Sequence, residues 1–105
     1  MNEQTEHEKL VRQELNDQTG KIEWKELERH FARGVVVKVV PELDLVIVGE
    51  EMVKDNKEKF EKWAAEGKVV RASEEDARAW VDRDPLFWAV VVAPWILVQE
   101  VFEAD

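Results

Sequence analysis

The sequence predicts one α+β domain, a small mixed sheet with a C-terminal strand pair covered by about five short helices. Three observations predict it. A length of 105 residues suits one hydrophobic core and leaves no room for a second domain. Valine-rich runs at 35–40 and 86–101 have the β-branched composition of strands buried on both faces. Between and before them lie segments of helical period bounded by capping residues. Residues 1–105 therefore form a single unit, with 1–5 expected as a frayed start.

In chain order, Thr5 and Glu8 have the spacing of a capping box, with Leu10, Val11 and Leu15 on one helical face, so a first helix is expected over about 6–16. Asp17-Gln18-Thr19-Gly20 breaks it. Trp24, Leu27 and Phe31 then recur at helical spacing before Gly34, which predicts a second helix over about 21–33 entered through Ile22. Val35 to Val40, interrupted only by Lys38 and ended by Pro41, is a strand. Residues 44–54 satisfy either period. As a strand, Leu45 to Val48 would pair with the first. As a helix capped by Asp44, Leu45, Val48, Met52 and Val53 would share one face and Glu50, Glu51 and Lys54 the other; the pattern continues through Val53, which favours the helix.

Asp55 and Glu58 suggest another capping box for a helix over 56–66, with Phe60, Trp63 and Ala64 inward and Gly67 as terminator. Lys68 to Arg71 is a short strand. Ser73 and Asp76 cap a last helix carrying Ala77, Trp80 and Val81, which Asp84-Pro85 ends. Phe87–Val92 and Trp95–Val101 are strand-like runs that Ala93-Pro94 allows to join as a hairpin, without the Gly or Asn of the tightest turns.

Composition removes several chemistries. No cysteine is present, so no thiolate nucleophile, disulfide or sulfur-ligated metal is available. A net charge of −9 with no basic segment argues against nucleic acid and against an anionic membrane surface. The N-terminus lacks a signal-peptide pattern, and the longest apolar run, Leu86 to Val98, contains Pro94 and falls short of the about 20 residues that a spanning helix needs. A cytoplasmic protein is the expectation.

Site motifs are sparse. His7 and His30 are the only imidazoles, each four residues after a glutamate (Glu3 and Glu26), a spacing with little metal specificity; no metal and no cofactor is implied. Ser73 is the only serine and serves better as a cap, so no catalytic residue is assigned. Most carboxylates suit helix starts or solvated faces. Trp24, Trp63 and Trp80 lie on the apolar stripes of three helices, as core packing requires. Trp88 and Trp95 flank the Ala93-Pro94 turn and are the candidates for a contact surface, although packing against covering helices explains them equally well.

The segments Trp24-Lys25-Glu26-Leu27, Pro41-Glu42-Leu43-Asp44-Leu45-Val46, Asp55-Asn56, Trp63, Gly67-Lys68 and Pro94-Trp95-Ile96-Leu97-Val98-Gln99-Glu100, in this order, resemble domain-of-unknown-function family 2288 over nearly the whole chain. The resemblance implies a small bacterial cytoplasmic protein and brings no active site with it. Two functional expectations follow. The first is a non-enzymatic module that binds another protein or itself, through Trp88 and Trp95. The alternative is a small-molecule-binding protein or enzyme using Glu42, Asp44 and Glu51. For self-association, residues 95–101 are apolar on both faces, and a late strand at a sheet edge would recruit a second copy into a homodimer.

Overall fold

The structure is a computed structural model and describes residues 3–101, with side chains from Lys9 to Val101. Its elements in chain order are α1 (Glu3–Gln18), β1 (Gly20–Glu23), α2 (Trp24–Ala32), β2 (Val36–Val39), α3 (Leu45–Val53), α4 (Lys57–Ala65), β3 (Val69–Arg71), α5 (Glu74–Arg83), β4 (Leu86–Val92) and β5 (Trp95–Glu100). The five strands form one mixed sheet in the order β1-β4-β5-β2-β3. Only β2 and β5 pair in parallel; β4 joins β5 and β1, and β3 joins β2, all antiparallel. By these pairings β1, β5 and β2 point the same way and their carboxyl ends lie together. Five helices and this mixed sheet make an α+β fold, with helices on both faces of the sheet.

Alternation along the strands divides the core in two. Val90 and Leu97, with Val37, Val39 and Val69, face Leu15 of α1, Leu45 and Val48 of α3, and Phe60 and Trp63 of α4. Phe87, Ile96, Val98 and Val36 face the other way, onto Trp24 and Leu27 of α2 and Trp80 of α5. Trp80 meets Trp24 and Phe87 with ring centroids 5.7 Å and 4.9 Å apart, tilted and edge-on as aromatic quadrupoles prefer.

Several expectations hold and others need correction. Residues 44–54 are helical, with the Asp44 carboxylate accepting from the Val46 N–H at 2.9 Å. Ser73 and Asp76 form the reciprocal capping box, and Gly34 and Gly67 end helices with φ of 74° and 72°. The second helix does not start at residue 21, because Gly20 to Glu23 pair with Leu86 to Ala89 as an edge strand. That pairing is non-local and invisible to periodicity. Asn56, not Asp55, caps α4 by accepting from the Lys59 N–H, while Asp55 adopts a left-handed φ of 57°. Val81 is 63% exposed despite its place beside Trp80. Helix α1 begins at Glu3, upstream of Thr5; the Thr5, Glu8 and His7 side chains and part of the expected frayed start lie outside the described residues.

Strand β5 is central, not an edge, so the edge-strand route to a homodimer through residues 95–101 is removed. Its two apolar faces are covered by the chain's own helices.

The acidic face expected on α3 is also corrected. Glu50 is 2% exposed and Glu51 8% exposed, because α1 packs along one flank of α3 and the start of α4 folds against the other. Glu50 accepts from Arg12 Nε and Nη2 at 2.6 and 3.1 Å, and Lys54 Nζ lies 3.4 Å away. Glu51 accepts from the Asn56 amide at 2.8 Å, with Lys59 Nζ at 3.5 Å. Gly49 permits the approach: a Cβ there would meet Leu15 Cδ1 at 3.3 Å.

Two outcomes follow from this packing. Leu97→Ala, at a fully buried position, should cost about 2–5 kcal/mol in urea unfolding, whereas Val81→Ala should stay within about 0.5 kcal/mol; equal costs would contradict the assigned faces. The Arg12 guanidinium holds the Glu50 carboxyl below its ordinary value, against the opposing effect of burial and with help from Lys54. A depressed carboxyl contributes stability above its unfolded pKa, near about 4.3, and that contribution is lost as pH falls through the folded value. Urea midpoints should therefore fall on acidification below that range, with a shallower fall in Glu50→Gln; an unchanged slope would show that the ion pair does not couple to folding.

Candidate functional site

The carboxyl end of β5 carries two polar residues, Gln99 and Glu100, after four apolar ones. On the face covered by α1 and α3, an open groove of about 480 Å³ lies between the end of α1, the β2–α3 connection and the sheet. Trp88 and Gln99, direct neighbours across β4 and β5, line its sheet side. Glu42 and Asp44 line the connection, and Asn16 and Thr19 belong to the α1 end.

Gln99 fixes this geometry. Its side-chain amide donates to the carbonyls of Val40 and Leu43, both at 2.7 Å, and so binds the connection to the central strand. Leu43 packs inward, which leaves its neighbours Glu42 and Asp44 exposed. Asp44 is held further by its capping bond to Val46. Trp88 is 37% exposed, and Lys21, its cross-strand partner on β1, places Nζ 4.9 Å from the ring centroid. The ring face thus already attracts a cation.

Of the residues singled out in the sequence, the fold brings Trp88, Glu42 and Asp44 together and separates Trp95 and Glu51 from them. Trp95 stands opposite Val92 at the far end of the hairpin, four strand positions or about 13 Å from the level of Trp88. It is half-buried against the α1/α3 core, under the Arg71 guanidinium at 5.3 Å. Glu51 is enclosed by Asn56 and Lys59 and lines no part of the groove. His30 is half-buried; desolvation first, then Arg29 and Arg33, lowers its pKa. No cluster of three metal-ligating side chains occurs among the described residues, and no helix among them is long and apolar enough to cross a membrane.

Gln99 and Lys21 are the site residues that sequence reasoning missed. The signal for Gln99 was a polar residue, followed by Glu100, at the end of an otherwise apolar strand; for Lys21 there was none, since its position depends on the unforeseen pairing of β1 with β4.

The architecture defines a small α+β protein with helices on both faces of a five-stranded mixed sheet. The chain belongs to the family of proteins of unknown function DUF2288, whose model matches residues 10–100. It is also similar to PA1075 from Pseudomonas aeruginosa, known from an NMR solution structure, with 40% sequence identity, a TM-score of 0.78, and coverage of all of this chain and 95% of that one. No curated protein matches it.

Gln99→Leu tests the anchoring. Loss of both hydrogen bonds leaves the Leu43 carbonyl without its side-chain donor and the Val40 carbonyl with only the Leu43 N–H, so the variant should be about 1–3 kcal/mol less stable, with faster amide exchange confined mainly to residues 42–44. Unchanged exchange there would show that the connection is held by other contacts.

Proposed function

We propose that this protein is a non-enzymatic interaction module whose groove receives a basic, extended segment of a partner protein. The observation that carries the reading is the convergence of Trp88, Glu42 and Asp44 on one open groove. A partner lysine or arginine can lie over the Trp88 ring, where the Lys21 ammonium now lies, while a neighbouring cation meets the exposed carboxylates. The groove is open to solvent, as entry of a chain segment needs. The net charge of −9 favours encounter with a basic surface and opposes approach of a second acidic copy, so the partner is a different, basic chain.

Titration of ¹⁵N-labelled protein with an unstructured lysine- and arginine-rich peptide should shift the Trp88 indole N–H and the amides of residues 42–46 saturably. Binding should weaken with salt, and a glutamate-rich peptide should cause no such shifts. The double variant Glu42→Gln/Asp44→Asn removes two charges while Asn preserves the cap, and should bind roughly tenfold more weakly. Equal affinity in that variant, or shifts that avoid the groove, would overturn the proposal.

A further inference from the structure

A second concave site occupies the opposite face at the same end of the sheet, a cleft of about 220 Å³ between α5 and strands β2 and β5. Its charged residues are not needed to fill a core. Lys38 interrupts the valine run of β2 on the face that α5 covers, and Glu100 ends β5 on that face. The register pairs Lys38 with Val98, two residues before Glu100, so the two opposite charges are diagonal neighbours on adjacent strands. Among the described residues they do not pair with each other. Lys38 Nζ donates to Asp76 Oδ1 at 2.6 Å, and Arg83 Nη2 donates to Glu100 Oε1. Each sheet residue is thus tied to α5, at points two helical turns or about 10 Å apart along its axis, and the space between them stays open.

The remaining hydrogen-bonding capacity is asymmetric. Lys38 and Arg83 each give one hydrogen bond to a side chain among the described residues, although an ammonium has three donors and a guanidinium five. Asp76 is spent: Oδ2 also accepts from the Ser73 N–H and hydroxyl, and, against burial as the largest single influence, the bonds from Lys38 and Ser73 hold its carboxyl below the ordinary value. Glu100 Oε2 has no donor among the described residues. Val40 and Pro41 supply an apolar rim, and Trp80 and Phe87 close the inner wall.

We propose that this cleft binds a free α-amino acid with an apolar side chain, its carboxylate held by Lys38 and Arg83 and its ammonium by Glu100. Two cations against two anions make the lining neutral overall, which suits a zwitterion over a ligand of net charge. The spare donors take the carboxylate through charge-assisted bonds, and the unused Glu100 oxygen takes the ammonium. The volume admits only a small molecule, with its side chain toward Val40 and Pro41.

L-Leucine, 4-methylpentanoate and 3-methylbutylamine share one apolar body and differ only in charge, so titrating each into the ¹⁵N-labelled wild-type chain decides the matter. Leucine should shift the Trp80 indole N–H and the amides of Lys38 and Glu100 saturably in the millimolar range, without moving the Trp88 indole. Each single-charge analogue should bind at least about tenfold more weakly. Glu100→Gln, with its unfolding midpoint checked, should lose about tenfold in leucine affinity. The proposal is overturned if leucine and the other apolar amino acids cause no shifts, if either analogue binds as well as leucine, or if folded Glu100→Gln binds leucine unchanged. Because the reporters lie on the opposite face from Trp88, this result is independent of peptide binding in the groove.

Discussion

Strand β5 imposes the constraint from which the architecture follows. Trp95 and Leu97 project to one side of it, Ile96 and Val98 to the other, and three of these four are buried outright. A strand apolar on both faces has to be paired on both edges and covered on both sides, or it exposes surface that each cost a few kcal/mol to leave in water. The chain meets this by placing β4 and β2 at its edges, α1, α3 and α4 over one face, and α2 and α5 over the other. The helices are short, so their ends and the strand ends come together at the rim of the sheet.

Both the groove and the cleft lie at the rim where β5 ends. The last two residues of β5, Gln99 and Glu100, are adjacent in sequence and so face opposite sides of the sheet. Gln99 anchors the connection that bears Glu42 and Asp44, and Glu100 meets Arg83 of α5. One strand end thus serves two sites of different character: an open acidic and aromatic groove, and a smaller cleft of balanced charge. The carboxyl ends of parallel strands are recurrent ligand positions because the covering helices diverge there.

The acidic composition is divided between structure and surface. Glu50 and Glu51 are buried and hold α1 and α4 against α3, and Asp76 joins the start of α5 to the sheet. Removing the cation beside Glu50 or Glu51 would leave a buried carboxylate uncompensated, so these ion pairs constrain how α1 and α4 pack on α3. Glu42 and Asp44, exposed on the connection, remain to give the groove its sign.

The sequence by itself determined the features that depend on neighbours along the chain. Those were the α+β class, the capping box of α5, the glycines that end α2 and α4, the Asp44 cap of α3, and the core placement of Trp24 and Trp80. Its motif order also identified the family. Tertiary structure alone decided what depends on residues distant in sequence. Pairing across more than sixty positions turned Gly20–Glu23 into a strand and set Lys21 against Trp88. The insertion of β5 between β4 and β2 removed the expected edge, and flanking helices buried Glu50 and Glu51. The same packing joined Trp88 to Glu42 and Asp44 while holding Trp95 apart, because hydrophobic periodicity specifies which face a residue occupies but not which other segment will cover it.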